Sequence, residues 1–100
     1  MKKFTINILP KAQDDFRDAV KYYRDIDEKL AKRFVKITKS TVNDLKKTAM
    51  YQIKYDQMRL RIIHKFPYTI HYIVNEENKT INIYGIRYAP SNPQTWPRTI

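Results

Sequence analysis

Residues 58–88 read MRLRIIHKFPYTIHYIVNEENKTINIYGIRY, and within them three segments of β composition follow one another across two turn signals. The first, residues 58–65, is broken by Phe66-Pro67. The second, residues 68–75, is rich in Ile, Val, Tyr and Thr, and the polar turn Glu76-Glu77-Asn78-Lys79 ends it. The third covers residues 80–88. β-branched and aromatic residues at alternate positions, bounded by Asn and Pro, predict strands. Connections this short predict antiparallel neighbours, hence a three-stranded meander.

Upstream, residues 3–9 (KFTINIL) alternate Phe4, Ile6 and Ile8 with Lys3, Thr5 and Asn7, the pattern of a half-buried strand. Pro10 ends it and suits the first turn of a helix, where its missing N–H costs nothing. That helix carries Ala12, Phe16, Ala19 and Tyr23 at three- and four-residue spacing, with Asp14 and Asp15 in its first turns. The pattern resets at Asp27, a suitable N-cap. A second helix to about Lys47 aligns Leu30, Phe34, Ile37, Thr41 and Leu45, flanked by Ala31, Val35, Thr38 and Val42. Its other face is lysine-rich, which reads as a solvated surface. Residues 48–57 carry no decisive signal. The order is β-α-α-β-β-β: an α+β fold, with a helical hairpin packed on one face of a small, mostly antiparallel sheet. The other sheet face is then partly open, and binding chemistry is expected there.

One hundred residues suffice for one domain, expected to span residues 1–100. At 42% hydrophobic and 30% charged residues, the chain is globular in composition. No cysteine is present, which excludes disulfides and thiolate metal sites. The first residues begin as a signal peptide does, but the apolar run is too short and turns acidic, so a cytoplasmic protein is expected. A net charge of +10, from 20 Lys+Arg against 10 Asp+Glu, points to a polyanionic partner such as nucleic acid, ribosome or an acidic protein, or to a basic surface with no specific partner.

Arg59 and Arg61 lie two apart on a predicted strand, so both point to one face, opposite Met58, Leu60 and Ile62. On the face away from the core, two guanidiniums could grip phosphates bidentately; alternatively they protect an edge strand by charge. His64 and His71 are the only histidines. Each serves as a general acid or base, or simply fills its place. Six tyrosines follow residue 50: Tyr51, Tyr55, Tyr68, Tyr72, Tyr84 and Tyr88. They suit base stacking or core packing. With a single glycine, Gly85, and no phosphate loop, nucleophile elbow or metalloprotease helix, no cofactor and no metal are expected. In the tail, residues 89–100 (APSNPQTWPRTI), Trp96 is the expected anchor and Arg98 could extend a basic site.

The element order, the run Phe66-Pro67-Tyr68-x-Ile70-x-Tyr72, the strand carrying Ile81, Ile83 and Ile86, and the ending Asn92-Pro93-x-x-Trp96 together resemble the RelE/ParE superfamily of bacterial toxins. In the helical half, Ala12, Asp15, Ala19 and Tyr22-Tyr23 fit the same family. The resemblance covers essentially the whole chain. It implies the toxin of a type II toxin–antitoxin (plasmid stabilisation) pair, silenced by a small, acidic-tailed cognate antitoxin that wraps it. RelE-like members cut mRNA in the ribosomal A site, whereas ParE-like members poison DNA gyrase. For the nuclease, the resemblance implies Arg59, Arg61 and Arg87 for phosphate and transition-state charge, with Tyr88 or His71 for proton transfer. Thr69, however, stands where arginine is frequent, and residues 90–93 read PSNP where the nucleases often show RRDP. The FPY run and the NPxxW ending look more like the ParE branch. Arg59, Arg61, Trp96 and Arg98 are then binding residues. A non-toxic, basic RNA- or protein-binding module is the reading from another class.

Overall fold

The computed structural model describes residues 4–48, 53–90 and 96–97. Its elements are β1 (Thr5–Ile8), α1 (Pro10–Ile26), α2 (Glu28–Thr48), β2 (Ile53–Tyr55), β3 (Met58–Ile62), β4 (Tyr68–Asn75) and β5 (Thr80–Tyr88). The strands form one sheet in the order β1-β5-β4-β3-β2. β1 runs parallel to β5, and every other neighbouring pair is antiparallel. The α+β fold, the helix pair and the meander are as the sequence predicts. The addition is β2, an edge strand in the stretch that carried no decisive signal.

Local chemistry sets the boundaries. Pro10 opens α1. Asp27 separates the helices: its N–H donates to the Tyr23 carbonyl at 2.8 Å, and its Oδ1 accepts from the Lys29 N–H at 3.1 Å, capping α2. Asp56 and Gln57, with φ of 42° and 67°, form the two-residue turn between β2 and β3, where positive φ at both positions matches the strand twist. At the β4–β5 turn, Asn75 Oδ1 accepts from the N–H groups of Glu77 and Asn78 at 3.0 and 3.2 Å.

Both helices pack on one face of the sheet. Phe34 is fully buried at the centre of this core, its ring 5.1 Å from those of Tyr23 and Phe66. Ala12, Ala19 and Ala31 let the helices approach closely, and Ile70, Tyr72, Ile81, Ile83 and Ile86 close the core from the sheet. Strand β3 ends three residues earlier than expected, at Ile62. Ile63 and Phe66 then turn back into the core, and the Pro67 carbonyl accepts from the Ala89 N–H at 2.7 Å.

One irregularity governs where side chains point. Tyr72 pairs with Ile83 but His71 pairs with Gly85, so Tyr84 is an extra residue in β5. The bulge inverts the alternation: Ile81 and Ile83 face the helices, and beyond the bulge so do Ile86 and Tyr88. Arg87 therefore faces the opposite, outer side.

Candidate functional site

Cross-strand partners share a face, so the register locates each predicted residue. Arg59 pairs with Tyr72 and Arg61 with Ile70, both of which belong to the helix-facing core. The two arginines therefore share one face, as their spacing predicts, but it is the helix side of the sheet and not the outer one. Arg61 shows why: its Nη2 donates to the carbonyl and the Oγ1 of Thr48, at 2.7 and 2.8 Å, tying β3 to the end of α2. Leu60 and Ile62, paired with His71 and Thr69, take the outer face, where Ile62 is 72% exposed. β3 lies next to the sheet edge, so the usual link between apolar alternation and the helical core fails there.

The outer face gathers His71, Thr69, Gly85 and Arg87 from β4 and β5. His71 is 1% exposed. Its Nδ1 shares a 2.8 Å hydrogen bond with the Tyr55 hydroxyl, and the Trp96 ring lies 5.1 Å away. Burial, and then the Arg87 charge, lower its pKa to about 4, so the imidazole is neutral at pH 7. Next to it, a side chain at Gly85 would place Cβ 2.5 Å from Pro97 Cγ. The chain's only glycine thus leaves room for Pro97 to lie directly against β5. Trp96 acts as the expected anchor, packing between Tyr55 and His71. His64 is in the exposed turn after β3, and Arg98 falls outside the described residues.

At the free edge of β5 stands Asp15, almost fully buried. Its Oδ2 accepts from the Ile86 N–H at 3.1 Å. Its Oδ1 is 3.0 Å from Lys11 Nζ and 3.7 Å from Arg87 Nη1. Tyr88 lies on the helix side against Tyr68, with ring centroids 5.9 Å apart. A small cavity of about 240 Å³ opens there among Tyr22, Tyr68, Tyr88, Asp18 and Arg87. Hence His71 and Arg87 come together on the outer face. Arg59 and Arg61 do not join them, and Tyr88 meets Arg87 only at this small cavity, away from His71.

A second, more apolar concavity lies elsewhere among the described residues. A groove of about 1000 Å³ runs between α1, α2 and β1. Ile6, Ile8, Phe16, Val20, Val35 and Val42 give it an apolar floor, and Arg17, Lys21, Arg24, Lys39 and Lys46 a basic rim with Asp25 as its acid. Residue reasoning did not locate this groove or the burial of Asp15. The signal for Asp15 was present, since positions 12, 15 and 19 are on one helical stripe. The groove arises because the apolar stripes of α1 and α2 are wider than the contact they make with each other and the sheet.

The chain matches the family model of the ParE toxin of the type II toxin–antitoxin system, parDE, over residues 6–92. Among solved structures it is similar to one described as the chromosomal ParDE TA system from P. aeruginosa, with a TM-score of 0.75 and 18% identity. That likeness, which speaks to the fold, covers 86% of this chain and 96% of that one. Comparison with curated proteins gives no match. On the family match, which spans most of its length, the chain belongs to the ParE toxin family of type II toxin–antitoxin systems.

Proposed function

We propose that this ParE-family toxin acts by binding its target rather than by cutting RNA, that the target is DNA gyrase, and that a cognate antitoxin silences it through the groove between α1, α2 and β1. The observation that carries the first part is the dispersal of the candidate nuclease set. Arg61 holds the end of α2, His71 is buried and neutral beneath Trp96, and Tyr88 lies on the opposite side of the sheet from His71. A phosphate held by Arg59 and Arg61 would be a sheet's thickness from the imidazole, too far for proton transfer at hydrogen-bond range. The groove supports the second part. Its apolar floor suits the apolar face of an amphipathic helix, and its basic rim suits the acidic flanks expected of an antitoxin. A cytoplasmic site of action belongs to the same proposal; among the described residues no helix is long and apolar enough to cross a membrane.

Pulse labelling after induction without the antitoxin tests the target. An early fall in thymidine incorporation, with amino-acid incorporation following later, is the expected result. Amino-acid incorporation falling first would direct the toxin to the ribosome and mRNA and overturn the gyrase assignment.

A further inference from the structure

The two helices carry their charge differently. α1 sets its cations beside its acids: Lys11 meets Asp15 at 3.0 Å, Arg17 meets Asp14 at 3.1 Å and Lys21 meets Asp25 at 3.4 Å. α2 holds seven lysines and arginines against two acids, Glu28 and Asp44, so half of the chain's net charge of +10 lies on this one helix. Among the described residues no ion pair joins any of the seven. Lys29, Lys36 and Lys47 fall on one line of the helix, with Lys32 and Arg33 flanking it and Ser40 and Asn43 filling its gap. All seven of these residues are exposed, and they lie opposite the buried Ala31, Phe34, Thr38 and Leu45. Folding does not account for the line. Lys29 and Lys36 each stand three or four residues from both Lys32 and Arg33, where like charges repel. Lys29 is also in the first turn, where the helix dipole disfavours a cation. None of Lys29, Lys32, Arg33, Lys36 and Lys47 lines the groove, so an occupant of the groove leaves them open.

We propose that this outer face of α2 is a docking surface for the phosphate backbone of duplex DNA, engaged without regard to base sequence. The inference goes beyond the target and antitoxin readings and depends on neither. Three features select this occupant. The line runs about 27 Å from Lys29 to Lys47 along a rigid helix, long enough to meet a row of phosphates on a duplex that carries about one charge per 1.7 Å of its axis. Its residues include no aromatic or apolar side chain. It therefore offers no platform for the stacked bases of a single strand, and no anchor of the kind a protein partner buries at the centre of an interface. The apolar stripe of the same helix is already in the core around Phe34, which leaves no face to enter a membrane. What remains is positive charge, with Ser40 and Asn43 as neutral donors, and these are the groups that position a protein on phosphates.

The test follows the fluorescence anisotropy of short duplex DNA of two unrelated sequences as the full-length chain is added, across a salt series. The two sequences should bind equally. Affinity should fall about a hundredfold between about 50 and 200 mM salt, as counterion release from about four phosphates requires. Lys29→Gln combined with Lys36→Gln should weaken binding about tenfold at the lowest salt and reduce the slope of log affinity against log salt by about two. The same pair should unfold at the same or a higher temperature, because it relieves repulsion along the helix. Lys54→Gln combined with Lys65→Gln, exposed in β2 and in the turn after β3, removes as much charge elsewhere and should leave the slope unchanged. Equal losses from the two pairs would mean that net charge and not this face holds the duplex, and would overturn the proposal. So would an absence of duplex binding at the lowest salt. Tighter binding of single-stranded RNA of the same length, lost in the Lys29 and Lys36 pair, would give the face to RNA and overturn it too. The assay contains neither gyrase nor antitoxin, so its failure leaves the proposed function standing, and failure of that reading in pulse labelling leaves this face untouched.

Discussion

His71 couples the outer face to acidity. Folded, its pKa is lowered to about 4 by burial and by Arg87, against about 6.5 in the unfolded chain. Between those values the unfolded chain binds more protons, so stability falls as the pH drops. The contribution is fully present above about pH 6.5 and is lost as the pH approaches 4, amounting to about 3 kcal/mol over the whole interval. Urea denaturation should show that His71→Gln, which keeps an acceptor for Tyr55, lacks this part of the slope; equal slopes would mean that His71 does not titrate low. Asp15 is the second residue whose environment determines its role. Asp15→Ala strands the Ile86 N–H inside the protein and should cost about 3 kcal/mol. Asp15→Asn keeps a carbonyl for that N–H and gives up only the charge facing Lys11 and Arg87, so about half that loss is expected. Chemical denaturation of the two variants separates the acceptor from the charge.

At the scale of elements, Arg61 belongs to α2 as much as to β3. The last carbonyls of a helix lack intrahelical partners and carry the negative end of its dipole. A guanidinium donating to Thr48 answers both. Arg61→Ala should therefore cost about 1–2 kcal/mol, and amide exchange in the last turn of α2 should accelerate while the β4–β5 amides remain protected. Unchanged exchange in that turn would show the contact to be incidental. The elements were legible to different depths, for physical reasons. The boundaries of β4 and β5 follow from residues 68–75 and 80–88, and Pro10 and Asp27 mark helix starts, because each acts through local backbone chemistry. β2 was not legible: its Asp56-Gln57 turn takes positive φ without the Asn-Gly or Asp-Gly pair that advertises such a turn. Nor could alternation alone tell which side of β3 faces the helices, since that depends on how far the helices reach across the sheet. The β5 bulge likewise becomes visible only through pairing with β4.

For the whole molecule, element order indicated an α+β domain, and the Phe66-Pro67-Tyr68 run and the Asn92-Pro93-x-x-Trp96 ending added the resemblance to RelE/ParE toxins, with which the family match agrees. The candidate site was less legible, because a groove is a property of three elements at once and residue types at single positions do not announce it. The sheet order also bears on how the toxin comes into being. Among the described residues β1 has β5 as its sheet neighbour, a strand made after the other four, and the side-chain bond from Asn7 to Asn82 joins residues 75 apart in sequence. Contacts so distant close late in folding, after the loop entropy between them has been spent. Until β5 emerges from the ribosome, β1 has no parallel partner and the Asp15 carboxylate has no Ile86 N–H to accept from. The groove lacks Ile86 and a docked β1 wall. Synthesis thus sets a clock: the surface on which an antitoxin would settle is completed only as the final strand is delivered, so an interrupted chain neither displays that surface nor possesses the finished toxin fold.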